Sequence, residues 1–355
     1  MAHPMTLALQ TAVPYRRYSQ HEISSFYVNL LDIQSERRER AVHALFEQSG
    51  VEFRHSVVEE TYFTENKTTE QRNALYMQEA IKLGGEVIRC GLERAGIAPH
   101  EISTFIVVSC TGFDTPGLDL HLARELGMRP NLSRTCILGM GCYAAFPAIR
   151  RALESVKAYE NRLALVLTLE LCTIHLQFDE SSESMVSTSL FSDGAAMMLI
   201  GSSTTATQSR GPQIIDAETY CDYQTLDQMS FTLTDHGFRM YLSSYIPDLL
   251  AANIRNFTER LLTRNGLSCE DIKFWAIHPG SKKIVEHIQT QLGLSDAQIQ
   301  FSLDILRDYG NMSSPTVLFV LERIMQIGSP VAGDYGVMMA FGPGLTMEAL
   351  LVQWT

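Results

Sequence analysis

The stretch Arg134-Thr135-Cys136-Ile137-Leu138-Gly139-Met140-Gly141-Cys142-Tyr143-Ala144-Ala145 decides the fold. Residues 134–138 read as a strand, Gly139-Met140-Gly141 as a tight turn, and the apolar spacing over 145–156 predicts a helix. A thiol at such a strand-to-helix elbow points into the open, and a helix N-terminus lowers its pKa toward the nucleophilic thiolate. The same position also suits a small residue that lets strand and helix pack closely, so the elbow alone leaves both roles open.

Outward from it, Phe105-Ile106-Val107-Val108 and residues 163–169 are short apolar runs without polar alternation, as expected for central strands covered on both faces. Between the N-terminal region and the first of them, Thr68-x-x-Gln71 forms a capping box that opens a long helix. Leu75, Ile81, Ile88 and Leu92 keep its spacing up to Gly96. The mixed-sign run Glu36-Arg37-Arg38-Glu39-Arg40 marks a solvated helix face. Helices alternating with buried strands indicate an α/β protein with mainly parallel sheets.

Three internal echoes, in the same order, suggest a duplicated half. Arg94-Ala-Gly96 with Phe105 recurs as Arg264-Asn-Gly266 with Trp275, 170 residues on. Gly141-Cys142-Tyr143-Ala144-Ala145 recurs as Gly310-Asn311-Met312-Ser313-Ser314 at 169, and Asp193-Gly194 with Met197-Met198 recurs as Asp334-Tyr335 with Met338-Met339 at 141. The shorter last offset implies 28 extra residues in the first copy, in a stretch containing residues 171–190.

If the halves superpose, Cys142 and Asn311 occupy matching elbows that face one another, with His278 ending the apolar run Phe274-Trp275-Ala276-Ile277. Alone, Asn311 reads equally as a helix N-cap and His278 as an ordinary strand-end residue. Together, imidazole can hold a thiolate as an ion pair, while His and Asn donate hydrogen bonds to an enolate or oxyanion.

Composition excludes other classes. The 355 residues carry 40 acidic against 28 basic side chains, a net charge of −12 that repels phosphate backbones, so nucleic acid is not an expected partner. The longest apolar run is far short of the ~18–20 residues a bilayer span requires. The start Met1-Ala2-His3-Pro4 lacks a basic region, so no secretory leader is read and a cytoplasmic location is expected. Seven scattered cysteines without a C-x-x-C pair argue against disulfides and structural metal. No phosphate-cradling glycine loop or metal-ligand motif supports nicotinamide, ATP or metal chemistry.

Gly141-Cys142, Ile277-His278-Pro279-Gly280, Tyr309-Gly310-Asn311-Met312-Ser313-Ser314 and Phe341-Gly342-Pro343-Gly344-Leu345-Thr346 resemble, in order, the type III polyketide synthases of the chalcone and stilbene synthase family. The likeness covers nearly the whole chain. The resemblance implies a thiolase fold, a duplicated αβαβα layering with pseudo-twofold halves, here 1–215 and 216–355. It implies that Cys142 carries the acyl group, that His278 and Asn311 bind the thioester carbonyl and promote malonyl-CoA decarboxylation, and that Phe191 stands between CoA tunnel and cavity. Ser313, Gly342, Pro343 and Gly344 would border the substrate. A homodimer is implied, using acyl-CoA and malonyl-CoA without carrier protein or bound cofactor, and Thr115 falls where the family has a methionine that enters the partner's cavity.

The departures from the family pattern concern the pocket. Cys110 and His175 stand where plant chalcone synthases have threonines. A gapless match anchored on Gly237 and Pro247 puts Phe231 at a glycine position and Met240 at that of a second gatekeeping phenylalanine. The basic CoA-binding helix is poorly matched near Ala44 and Gln48, and Lys282 and Lys283 are expected to supply charge instead. A phenyl ring in place of glycine removes space that a folded tetraketide needs. The expectation is therefore that of a microbial alkylpyrone-synthase-like enzyme with an aliphatic starter, few extensions and release as a pyrone, an alkylresorcinol being the lesser outcome.

One rival is a single-condensation ketoacyl synthase of the same fold, which uses the same triad. A more remote one is a papain-like cysteine peptidase, whose order Cys142, His278, Asn311 is matched but whose local signature around the cysteine is missing.

Overall fold

The computed structural model describes residues 4–159, 161–202, 211–243 and 245–355; Met1, Ala2 and His3 of the leader reading lie outside them. The strands are β1 (Pro4–Ala12), β2 (Arg16–Ser19), β3 (Phe53–Ser56), β4 (Thr104–Ser109), β5 (Ser133–Leu138), β6 (Ala164–Leu171), β7 (Asp193–Ser202), β8 (Gln213–Cys221), β9 (Met229–Thr234), β10 (Gly237–Leu242), β11 (Ile272–Ile277), β12 (Tyr335–Gly342) and β13 (Thr346–Gln353). The helices are α1 (Gln20–Leu30), α2 (Glu36–Gln48), α3 (Thr69–Ala95), α4 (Leu118–Glu125), α5 (Ala145–Ala158), α6 (Ser182–Leu190), α7 (Ile246–Thr263), α8 (Lys282–Leu292), α9 (Asp296–Tyr309) and α10 (Thr316–Ile327).

The main sheet runs β11-β12-β13-β8-β1-β7-β6-β4-β5. β1 pairs with β8 only at Met5 and Gln213, so the sheet divides there into two arms. Counting outward from that seam, β8 corresponds to β1, β13 to β7, β12 to β6 and β11 to β4. This corrects the third echo: β12 matches β6, not β7, and the two begin 171 residues apart (335 against 164), in step with the other echoes. The extra residues of the first copy are 172–192, which join β6 to β7, whereas 343–345 suffice between β12 and β13. The inserted segment was thus placed correctly in the sequence but sized from a mispaired echo. The boundary expected at 215/216 falls inside β8.

The expectation of mainly parallel pairing is also corrected. β4 runs parallel to β5 and β6, and β11 to β12, but the remaining pairings of this sheet are antiparallel. In each arm the last strand folds straight back on its predecessor, and the first strand then pairs against that returning one.

Alternating side chains place the core in three apolar layers. Phe105 and Val107 of β4 with Leu165 and Leu167 of β6 face α3 and α4. Their neighbours Ile106, Val108 and Val166 face α5 and α10, which are also covered by Ala276 of β11 and Met338 of β12. The opposite faces of those strands, at Trp275 and Met339, pack on α7 and α8. The order is helix, sheet, helix, sheet, helix, the duplicated αβαβα arrangement. The capping box at Thr68 and Gln71 is present, and Gly96 closes α3 in the left-handed region. β5 is an exposed edge strand.

The middle layer is tied to β13 by one ion pair. Arg150 of α5 donates from both terminal nitrogens to Glu348, at 2.8 and 2.9 Å, and Glu348 is 2% exposed. Removing one partner of such a pair leaves a buried charge uncompensated, at a cost of about 3–5 kcal/mol. Arg150→Ala should therefore lower the free energy of denaturant unfolding by about 3 kcal/mol, and Arg150→Leu combined with Glu348→Leu should recover most of it. A loss below ~0.5 kcal/mol in the single variant would show that the pair does not hold the layers together.

Candidate active site

Cys142 lies in a single 3-10 turn, Gly141–Tyr143, between β5 and α5. Gly141 has φ +75°, and a Cβ there would sit 2.9 Å from Cδ of Pro343, so the turn that presents the thiol requires glycine. His278 follows β11 and donates its backbone N–H to the carbonyl of Met339 at 2.8 Å. Asn311 precedes α10 by several residues, and Pro315 holds the N-cap position, so the helix-cap reading of Asn311 is not realised. Its side chain instead donates to the Gly280 carbonyl at 3.2 Å and accepts from the Ser313 N–H at 2.8 Å, which fixes the loop after His278.

Cys142, His278, Asn311, Phe191 and Ser313 line one cavity of about 1140 Å³, a volume that includes its open mouth. Cys110, His175, Phe231 and Met240 line it too, and so does Pro343. Gly342 and Gly344 flank Pro343 without lining the cavity. Lys282 and Lys283 are exposed at the start of α8 and do not line the cavity, although the next residue, Ile284, does. Thr115 sits in an exposed loop beside Phe113.

Both ring nitrogens of His278 are buried with no hydrogen-bond partner among the described residues. Burial pushes its imidazole down to about 3 and the Cys142 thiol up to about 11. This corrects the expected lowering of the thiol: desolvation outweighs what the short turn and the later start of α5 supply. The Ser313 and Asn311 side chains work the other way and favour the anion of the sulfur. Burial disfavours each charge alone, and only if the Sγ proton passed to the imidazole would the two form together, with an attraction that offsets part of the desolvation.

Glu170 was missed by the sequence reading. It is fully buried and accepts from the Cys110 N–H at 3.0 Å, the Thr111 hydroxyl at 2.7 Å, the Ser314 hydroxyl at 2.9 Å and the Cys110 thiol at 3.3 Å. Burial raises its pKa despite these donors. The available signal was an acidic residue directly extending the apolar run 163–169.

His175 is buried and fully engaged. Nε2 lies 2.6 Å from the Thr111 carbonyl, and Nδ1 accepts from the Phe238 N–H at 3.3 Å, which sets a neutral ring protonated on Nε2. Burial lowers its pKa to about 4. Its ring meets Phe238 edge-on at 5.0 Å, and Phe238 stacks on Phe231 at 4.7 Å. Gly237 opens β10 at φ +92°, where a Cβ would come within 2.7 Å of His175 Nδ1 and 2.6 Å of Arg72 Cδ. The β9–β10 hairpin, whose facing pair Phe231 and Met240 line the cavity, is thus seated on His175.

The model of the chalcone and stilbene synthases, N-terminal domain, matches residues 2–204, and that of their C-terminal domain matches residues 219–354. The chain is 33% identical to a 3,5-dihydroxyphenylacetyl-CoA synthase of Streptomyces toyocaensis, over 99% of this chain and 90% of that protein. It is 31% identical to the alpha-pyrone synthesis polyketide synthase-like Pks18 of Mycobacterium tuberculosis, over 99% of this chain and 92% of that protein. The crystal structure of 1,3,6,8-tetrahydroxynaphthalene synthase from Streptomyces coelicolor superposes with a TM-score of 0.91 at 27% identity, covering 100% of this chain and 99% of the other.

Such a proton transfer would have a chemical signature. Labelling of Cys142 by iodoacetamide should be readily measured at pH 7 in the parent. In His278→Ala its pH midpoint should move upward toward the burial-raised value, with at least a tenfold slower reaction at pH 7. Equal rates in both proteins would mean that the imidazole does not hold the thiolate.

Proposed function

The chain belongs to the chalcone and stilbene synthase family and is a type III polyketide synthase, a malonyl-CoA-dependent acyltransferase, and we propose that it builds its product on Cys142 with His278 and Asn311 as the other catalytic residues. The observation that carries this is the convergence of a thiol, an imidazole with two unpartnered ring nitrogens and a carboxamide on one buried cavity wall. A peptidase reading loses its basis, since the three residues sit in a thiolase-type fold. Matches to the chalcone and stilbene synthase models on both halves favour iterative extension over a single condensation.

In the proposed cycle the Cys142 sulfur attacks the thioester carbonyl of an acyl-CoA, and coenzyme A leaves with the proton held by His278. Malonyl-CoA then loses carbon dioxide, and the two electrons of the broken bond pass into an enolate whose oxygen accepts hydrogen bonds from His278 and Asn311. The enolate carbon attacks the Cys142 thioester, the sulfur leaves, and a β-ketoacyl-CoA results that reloads on Cys142 for the next round. Phe191, buried beside Asn311 through an isolated bridge, separates the reacting end from the CoA side. The reaction as written requires no metal, bound cofactor or carrier protein.

The site is proposed to work as a homodimer, supported by the exposed apolar side chains Phe113 and Leu138 around an open cleft of about 840 Å³ that reaches Phe231; sedimentation at micromolar concentration tests it, and an active monomer would refute it.

The product is proposed to be a short pyrone from an aliphatic starter. Phe231 is held by Phe238 and His175, so it cannot swing aside without disturbing the hairpin. A chain confined this way leaves early, by attack of its own enol oxygen on the thioester carbonyl with release of coenzyme A.

Incubation with an acyl-CoA and malonyl-CoA, with no carrier protein, should give carbon dioxide and an acyl adduct on the intact protein. Cys142→Ala should lose the adduct, and Asn311→Ala should slow decarboxylation on the order of 10²–10³-fold. Carbon dioxide released at the parent rate by Asn311→Ala would reduce Asn311 to a loop-fixing residue. The pocket assignment has its own test in Phe231→Gly, which should lengthen the products by one or more malonyl units in product mass spectra. Unchanged chain length with retained activity would remove Phe231 from the determinants.

A further inference from the structure

Helix α6 ends without a glycine stop: Phe191 follows it in the extended region, at φ −80° and ψ 147°, and leads through Ser192 into β7. An α-helix leaves its last four carbonyls in need of partners from outside, and a buried end must find them. Here all four are met. Ser187 accepts from the Phe191 N–H at 3.0 Å, Thr188 from Nη1 of Arg54, Ser189 from Nε2 of Gln20 at 2.9 Å, and Leu190 from the Asn311 N–H at 2.8 Å. Nη1 of Arg54 also donates to the Phe191 carbonyl at 3.1 Å, and its Nη2 donates to Oε1 of Gln20 at 2.5 Å.

Arg54 is 1% exposed and makes no ion pair among the described residues. A buried cation without a carboxylate is costly, and the negative end of the α6 dipole offsets only part of that cost. Arg54 lines no part of the catalytic cavity. The residues after it act on the same stretch: the His55 N–H donates to Oγ of Ser192 at 3.2 Å, and the Val57 N–H to Oδ2 of Asp193 at 2.8 Å. That stretch is in turn joined to Asn311, whose carbonyl accepts from the Ser192 N–H at 3.0 Å.

We propose that Arg54 is a positioning residue for malonyl-CoA decarboxylation. By capping α6 it fixes the backbone of residues 188–191, and the bridge between Phe191 and Asn311 passes that position on to the carboxamide. The planar fork of a guanidinium reaches two helix-end carbonyls and Gln20 together, which the compact ammonium of lysine does not. This rests on the reading of Asn311 as an enolate-binding group and deepens it. A displacement of about 1 Å in such a group can cost on the order of 10²-fold in rate, although the displaced residue still binds substrate.

The test follows carbon dioxide release from carboxyl-labelled malonyl-CoA by the full chain. Arg54→Met should lower kcat at least tenfold with KM for malonyl-CoA within twofold of the parent, and Arg54→Lys should fall between the two. Because the effect runs through Asn311, adding Arg54→Met to Asn311→Ala should cost less than a further threefold, whereas independent damage to the fold would multiply the two losses. An equal fold-loss in both backgrounds, or a kcat for Arg54→Met within twofold of the parent, overturns the proposal. If Arg54→Met loses its far-ultraviolet circular dichroism, Arg54→Lys is compared in the same two backgrounds: a loss seen only where Asn311 is present supports the proposal, and an equal or absent loss overturns it. A parent protein that releases no carbon dioxide from malonyl-CoA overturns the functional reading itself, and the role of Arg54 with it.

Discussion

The structure depends on two helices being closed in on both sides. α5 and α10 lie between the two arms of the sheet, with Ala145, Ala148 and Ala152 of one and Val317, Val320 and Ile324 of the other buried against strands of both arms. The alanines let α5 approach closely, and at interior packing density neither helix can slide or turn without opening voids. The segments that enter these helices are therefore fixed at one end of the layer. Cys142 stands on the first and Asn311 on the second, so the meeting of thiol and carboxamide follows from the packing of residues that touch no substrate. β11 lies in the arm covering α10 and delivers His278 to the same end.

What could be read from the chain follows what is local. The capping box at Thr68 and Gln71, the glycine stop at Gly96 and the buried strands at 104–109 and 164–171 are set by neighbours in sequence, and they stand where expected. The elbow at Cys142 was legible because a turn between a strand pattern and a helix pattern admits few geometries. The mispaired echo shows the limit: β6, β7, β12 and β13 are all short buried strands, so matching methionines did not reveal which sheet position they fill, and hydrogen-bond pairing alone did.

The thiol's acidity was illegible for a similar reason. A helix N-terminus is visible in sequence, whereas the burial that outweighs it, and the Glu170 charge that adds to it, come from segments far along the chain. The β9–β10 hairpin was not read from the sequence, and the pocket positions of Phe231 and Met240 came only through resemblance, since nothing in either residue tells which wall it faces.

Two histidines border the same cavity, and both are buried and held neutral, so neither burial nor pKa direction separates their roles. Hydrogen bonding does. His175 spends Nε2 on the Thr111 carbonyl and Nδ1 on the Phe238 N–H, and a ring with both nitrogens engaged has no proton to exchange without breaking a wall of the pocket. Among the described residues His278 has no partner for either nitrogen, a state that costs stability in a folded protein unless a reactant supplies the partner. The difference supports the proposed role of His278 in proton transfer and enolate stabilisation and leaves His175 as part of the wall. It also explains how one cavity holds two imidazoles without competition between them: the protein has already satisfied one, and only the other is left for the substrate.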